Sequence, residues 1–560
     1  MIAHGIPPCR DGHDVLIVGA GPAGIVQALE LRRQGIAVTM LAGGADGLDP
    51  KLQAMADAEI ADPRRHAPME MAVRRALGGT SLLWGGRCVA FDEVDFARGW
   101  PLGAAEIAPW YDRAIRYLDA GDPVFSAPLA ASDPECRFDQ LERWSEGRNL
   151  RRIHADALAS DPGLRIWLGA VATGFDIDPE CGRVSGVHVA TASGGRTTLR
   201  ARAIVLACGG LETTRLLLAA QAVRPRLFGG ADGPLGRYYM GHLEGRIAEI
   251  VFDKPGTDRD FDFFVDTAGR YVRRRITVAE DVQRRDGLLN LAAWPDNPAL
   301  GDPAHKSAIL SLAYLSLAMP GLGRALAPEA IRRKHLDGGV AGVGRHLGNI
   351  VRGAPEALRE AVRYLYRRYA SSPHLPGFFI PNAARRYALF YHAEQAPNPD
   401  STVRLTPARD ALGMPRLKID LRYSEIDARS VTASHTIIAR GLRRAGLGRL
   451  DYTVPEAERL AHVLDQATDG YHQIGTARMA DRPRDGIVDR DCRVHGTPNL
   501  FVASSAVFPS SGQANPTLLL SALSARLAAR LARELTELPQ LDPAESPARP
   551  VHERALEAAG

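Results

Sequence analysis

The chain has 560 residues, 45% of them hydrophobic and 24% charged, with a formal net charge of +4. That length allows two or more ordinary domains around a large core, and so mild a charge gives no reason to expect a nucleic-acid partner. The cysteines (Cys9, Cys88, Cys136, Cys181, Cys208, Cys492) are scattered without a CxxC pair, which speaks against a disulfide framework or a cysteine metal site and fits a reducing, cytoplasmic compartment.

The first residues, MIAHGIPPCRDGHD, lack the basic and apolar regions of a signal peptide. Residues 14–44 then read DVLIVGAGPAGIVQALELRRQGIAVTMLAGG. The run VLIVGA predicts a buried parallel strand. Gly19, Gly21 and Gly24 form GxGxxG, a helical pattern follows up to Gly35, and residues 36–41 predict a second strand. Strand, glycine turn, helix and strand make a dinucleotide-binding βαβ unit, with the pyrophosphate at the helix N-terminus. The position that ends the second strand, where an acidic residue ordinarily holds the ribose, is Ala42. Asp46, four residues on, is either a ribose ligand or a solvated loop residue.

FAD and NAD share this fingerprint, so the choice comes from further along. In RRALGGTSLLWGGRCVAFDEVD (74–95), the pairs Gly78-Gly79 and Gly85-Gly86 bracket Leu82-Leu83-Trp84. Such a stretch can lay backbone amides against a flat ring system. Residues 201–218, ARAIVLACGGLETTRLLL, predict a further strand of the same sheet, a Gly-Gly turn and a helix.

An unusual insert spans 303–385. Its SAILSLAYLSLAMPGLG is seventeen residues without charge, short for a membrane span and broken by Pro320. Residues 331–370 carry nine Lys/Arg against three acids, a net of +6, which leaves −2 for the rest of the chain. A basic helical segment beside an apolar one suits peripheral contact with an anionic membrane through 303–370, a cover over the active site, or a solvated hairpin packed on the domain. Residues 402–405 and 417–421 alternate as strands with one half-buried face, expected in a sheet that roofs the cofactor. YHQIGTARM (471–479) then offers one imidazole, His472. Asn515-Pro516 before TLLLSALSARLAARL reads as an N-cap and first turn. Residues 538–560, rich in Pro, Ala and Glu, read as a flexible tail.

Together these motifs resemble the glucose-methanol-choline (GMC) flavoprotein oxidoreductases, on the bacterial branch near pyranose oxidase. The resemblance rests on the N-terminal glycine loop, GGTSLLWGGR, GWPL with PWYDRA, GRYYMGH (236–242), EQAPNPDSTVRLTPARDALGMP (394–415), YHQIGTARM and the stretch 487–527. It implies an α/β fold: a discontinuous Rossmann-type FAD-binding domain (10–100, 150–245, 465–535) and an α+β substrate domain (246–464) built on an antiparallel sheet and carrying the insert. It implies that His472 takes the substrate proton while hydride passes to flavin N5, and that Asn515 holds the same substrate oxygen. Cofactor contacts are expected from Gly19, Gly21, Gly24, Gly78, Gly79, Ser81, Trp84, Gly85, Val171, Ser504, Asn515, Pro516 and Thr517. Ser504 stands where the family often has Asp.

His242 and His392 are expected to line the cavity at most, and His495 to serve a turn. A histidine that tethers the flavin in pyranose-oxidase-like proteins is replaced by Leu83, so FAD is expected without a covalent link. The implied reaction is oxidation of a small-molecule alcohol, best a secondary hydroxyl of a sugar or glycoside, by a dehydrogenase rather than an oxidase. The electron acceptor stays open among quinone, small acceptor and oxygen. A flavin-bearing lyase of the same fold is the competing reading, since fold does not fix function.

Overall fold

The computed structural model describes residues 1–8, 13–326, 332, 336, 339–382 and 384–537. The expected tail at 538–560 lies outside the described residues.

Six strands form a parallel sheet in the order Ile2–His4, Leu164–Leu168, Val38–Ala42, His13–Val18, Ala201–Leu206 and Leu500–Val502. Its central strands are apolar on both faces: Val15, Leu16, Ile17, Ile204 and Val205 are all fully buried. That is what a sheet covered by helices on both sides requires. Helix Pro22–Arg33 follows the first central strand and packs against the long C-terminal helix Thr517–Glu537. The strands come from distant parts of the sequence, so this layer is discontinuous along the chain. It also begins before the glycine motif, because Ile2–His4 adds an edge strand.

A second, antiparallel sheet runs in the order Gly448–Tyr452, His242–Phe252, Arg386–Glu394, Leu291–Asp296, Tyr271–Val278, Cys136–Trp144 and Arg87–Cys88, with Phe264–Val265 beside Tyr271–Val278. Alternate residues such as Ile276, Ala293, Leu389 and Tyr391 share a hydrophobic cluster with Ala428, Val431, Ile438 and Leu442 of helix Glu425–Arg444. The period-2 alternation then sends Arg273, Arg275, Trp294, Phe390 and His392 to the opposite face. The architecture is α/β, a Rossmann-type layer joined to an α+β part built on an antiparallel sheet.

Two strands lie elsewhere than expected. Thr402–Arg409 and Pro415–Asp420 pair with each other and with Ala58–Ile60 in a separate three-stranded sheet. Val403, Leu417 and Ile419 bury against Met69, Leu211 and Tyr239. Alternation identifies a half-buried face but not the layer that buries it.

The insert is helical: Ala308–Ala318, Pro320–Leu326, Val343–Arg352 and Ala354–Leu365. The first two meet at a bend of 111°. Among the described residues no single helix is long and apolar enough to cross a membrane.

Candidate active site

A long cleft opens at the C-terminal ends of the parallel strands. It is lined by Gly19, Gly21 and Pro22 of the glycine turn, by residues 41–44, Arg75 and Val171, and by His472, Ser504, Pro516 and Thr517. The glycines divide into two kinds. A Cβ on Gly24 would fall 2.0 Å from the Gly19 carbonyl oxygen, and one on Gly79 would fall 2.7 Å from Gly21 Cα. Those glycines allow close chain packing. A Cβ on Gly21 would meet nothing nearer than Gly79 Cα at 3.8 Å, so its absence leaves room in the cleft itself. A narrow channel with backbone N–H groups at a helix N-terminus fits a dinucleotide.

Of the residues expected to touch the cofactor, Gly19, Gly21, Gly79, Val171, Ser504, Pro516 and Thr517 line this cleft. Gly24 sits behind it, against Gly19 and Ala207. Gly78 takes a left-handed turn at φ +100° and accepts at its carbonyl from Ser81 Oγ at 2.6 Å. Ser81 Oγ also accepts from the Leu150 amide, so both support the loop from within. The Trp84 indole N–H donates to the Arg148 carbonyl at 2.6 Å, and Gly85 is exposed. Asp46 is paired with Arg151.

His472, in the lining of this cleft, belongs to a cluster of three histidines. His472 follows Tyr471, a residue held at φ +62°, and its backbone N–H donates to the Asp469 carbonyl. Its Nε2 lies 3.2 Å from Asn515 Nδ2, and its Nδ1 lies 2.8 Å from His242 Nδ1. His242 stacks on His392 at 4.2 Å between centroids, and His392 Nδ1–H donates to the Gln513 carbonyl at 2.7 Å. The Gln513 side chain accepts from Arg275 at 2.6 Å and donates to Asp92 at 3.1 Å. Asn515 does not cap the last helix as expected. The first helical bond there runs from the Leu520 N–H to the Pro516 carbonyl, and the Asn515 amide turns to His472 instead.

All three imidazoles are held neutral. Burial pushes His242 down to about 3. Burial holds His472 well below the usual range, helped by the repulsion that a second proton beside His242 and the Arg87 guanidinium would meet. Burial and the neighbouring histidines do the same to His392. Their nitrogens lie within 4.8 Å of one another, a spacing a divalent metal could span. The closest pair, at 2.8 Å, is tighter than the roughly 3.3 Å that separates two nitrogens on one tetrahedral zinc. That distance is a hydrogen bond.

A depressed histidine has a consequence for stability. Below pH about 6.5 the unfolded chain binds protons that the folded imidazole refuses, so stability is lost as pH falls. Buried carboxylates such as Asp95, pushed up to about 7 by burial and Asp92, act in the opposite sense. A variant comparison isolates the imidazole. Relative to the wild type, His392→Phe should gain up to about 1.4 kcal/mol per pH unit between pH 6.5 and 5. Urea unfolding at several pH values reads this, and a constant difference would show that His392 titrates normally.

The antiparallel sheet supplies a wall beside the histidines. Phe390 pairs across the strands with Arg246 on one side and Trp294 on the other, on the face that carries His392. The Arg87 guanidinium stacks over Trp294 at 4.6 Å, and that of Arg273 at 4.9 Å. Arg87 and Arg273 both pair with fully buried Glu142. Arg246 pairs with Asp296 at 2.8 Å. The wall therefore presents guanidinium groups backed by aromatic rings. From the sequence, His242 and His392 were expected to line the cavity at most. Each falls in a quoted or adjoining motif, GRYYMGH or FYHAEQ, but nothing in either motif shows that they meet.

A parallel sheet with a glycine-lined dinucleotide cleft, ending on a histidine under an antiparallel sheet, defines a flavoprotein oxidoreductase fold. The GMC oxidoreductase family model matches residues 397–524, and an FAD binding domain model matches residues 12–47. The C-terminal part of the chain therefore matches a GMC oxidoreductase domain and its N-terminal part an FAD binding domain, which implies FAD as the cofactor. It is 24% identical to paromamine 6'-oxidase of Streptomyces fradiae over 93% of this chain and 92% of that one. It is 22% identical to 2-methyl-1,2-propanediol dehydrogenase of Mycolicibacterium austroafricanum, over 94% of this chain and 96% of that one. It is 25% identical to C-glycoside 3-oxidase of Microbacterium trichothecenolyticum, over 93% and 97%. Among solved structures, pyridoxine 4-oxidase from Mesorbium loti superposes with a TM-score of 0.52 at 18% identity, over 92% of this chain and 98% of that one.

Proposed function

We propose that the protein oxidises a secondary hydroxyl of a neutral sugar or glycoside to a carbonyl, with His472 as general base and Asn515 orienting the hydroxyl. The carrying observation is His472, which lines the cleft and lies with its Nε2 3.2 Å from Asn515 Nδ2. FAD, when bound, supplies the hydride acceptor.

The hydrogen bonds set the tautomer of the base. The Asn515 Nδ2–H donates to His472 Nε2 at 3.2 Å, so the His472 proton sits on Nδ1, which faces His242 Nδ1 at 2.8 Å. His242 Nδ1 is therefore the acceptor of the His472 Nδ1–H. His472 Nε2 is then an unprotonated lone pair beside Asn515, ready to remove a hydroxyl proton. His242 thus positions His472, as a triad carboxylate positions its histidine, but without adding negative charge.

The wall supports the substrate class. Guanidinium N–H groups donate to sugar hydroxyls, and the rings behind them hold those guanidiniums in place. Half-buried Arg87 and Arg246 place positive charge on this wall, which disfavours a polycationic aminoglycoside. The name of one relative, C-glycoside 3-oxidase, agrees with a glycoside but does not choose the hydroxyl here. The test is anaerobic stopped-flow bleaching of the flavin with neutral sugars, C- and O-glycosides, aminoglycosides and short diols. Saturable bleaching by a neutral sugar or glycoside is expected. No bleaching by any of them, or fastest bleaching by an aminoglycoside, overturns the reading.

We further propose that FAD is held without a covalent bond. Leu83 has no nucleophile. Cys88 is fully buried and its thiol is pushed up to about 12 by burial. Cys208, which lines the cleft, is likewise pushed up to about 12. Both ring nitrogens of His66 are engaged, by the Ala67 carbonyl and the Tyr239 hydroxyl. Acid precipitation should therefore leave the yellow colour in the supernatant. Colour retained in the washed pellet would show a link.

A further inference from the structure

We propose that the outward face of helices Val343–Arg352 and Ala354–Leu365 docks this protein on an anionic lipid surface. These helices are inside out. A surface helix ordinarily turns its apolar stripe to the core and its polar face to water. Here the buried residues of the first helix are polar: His346 bonds Ser311 at 3.0 Å, and Asn349 donates to the Pro303 carbonyl at 2.9 Å. The exposed residues are Val343, Leu347 and Val351, spaced by four, with exposures of 44%, 50% and 77%. The second helix buries only Ala357 and exposes Leu358, Val362 and Leu365. Tyr366 and Tyr369 continue the stripe at 62% and 51% exposure. Apolar side chains left in water on one face of two successive helices need a partner.

Charge identifies it. Arg345, Arg352, Arg359 and Arg363 are exposed around this stripe, and residues 331–370 hold nine Lys/Arg against three acids. Apolar residues and tyrosines flanked by arginines match an interfacial helix on anionic lipid, with the stripe in the acyl boundary and the guanidiniums at the phosphates. A second copy fits poorly, because a two-fold contact would set arginine against arginine. The insert leaves the strand that bears Trp294 and returns through the strand that bears His392, so docking would hold the active-site wall near the bilayer.

The test is co-sedimentation of the FAD-loaded protein with phosphatidylcholine vesicles, with and without phosphatidylglycerol. Binding is expected only with phosphatidylglycerol, and it should weaken as salt rises. Leu347→Asp with Leu358→Asp should lower vesicle affinity at least about tenfold while leaving flavin content and reduction rate unchanged. The side chains are exposed, so folding should be spared, and retained flavin absorbance verifies this. Three results would overturn the proposal: no binding to the anionic vesicles, equal binding by the double variant, or a wild-type dimer that the same substitutions dissociate.

Discussion

His472→Ala should retain FAD and lose flavin reduction by on the order of 10² to 10⁴ at neutral pH. The proposed FAD cleft is lined by many residues besides His472, Gly19, Pro22 and Thr517 among them, so one imidazole should contribute little to retention. The rate depends on that imidazole much more. Burial, His242 and Arg87 keep it neutral, so a proton acceptor is present well into the acid range and its rate profile should show no inflection near pH 6.5. Alanine leaves only water to take the proton. Asn515→Ala should lose less, below about 10², because an orienting hydrogen bond disappears while the acceptor stays. Near-normal reduction in His472→Ala would remove this residue from the mechanism and leave the three-histidine cluster without an assigned base.

How far the sequence discloses this site depends on the length scale of each signal. The βαβ unit is local: a strand, a glycine turn and a helix within about thirty residues constrain one another, and the structure has them at His13–Val18, Pro22–Arg33 and Val38–Ala42. Motif resemblance singled out His472 and Asn515, and the chain brings their side chains within 3.2 Å across 43 positions. His242 was not legible as a partner. It lies 230 positions from His472, and only the register of the antiparallel sheet brings it there beside His392. The Asn515 cap failed for a small geometric reason: the helix starts one residue later, at the Pro516 carbonyl, which frees the amide for the site. The insert shows another limit. Its amphipathic period is evident in the sequence, but period alone would place Leu347 and Val351 inward, and only the buried His346 and Asn349 reverse the face.

The glycine loop separates folding from cofactor binding, and two alanine substitutions should show it. Gly24→Ala should destabilise the protein by about 2–3 kcal/mol, the cost of forcing a methyl group into a closed contact. Its Cβ would fall 2.0 Å from the Gly19 carbonyl oxygen and 3.5 Å from Ala207 Cβ. Helix Pro22–Arg33 cannot retreat freely, because the C-terminal helix packs against it. Gly19 cannot yield either, since it holds φ +115° with Ala207 O 2.4 Å from where its own Cβ would be. Gly21 behaves differently. Its φ of −82° and ψ of −169° suit any residue, and the nearest atom to an added Cβ is 3.8 Å away. On the apoprotein Gly21→Ala should therefore be neutral or stabilising, by about 0.4–1 kcal/mol through the unfolded chain. In the cleft, the same methyl group occupies space left for the dinucleotide. FAD affinity should fall roughly tenfold to a hundredfold, the equivalent of about 1–3 kcal/mol of overpacking. Apoprotein melting and FAD titration followed by flavin fluorescence measure the two effects separately. If Gly21→Ala bound FAD as tightly as the wild type, the cofactor would have to lie away from this turn, and the assignment of the cleft would fail with it.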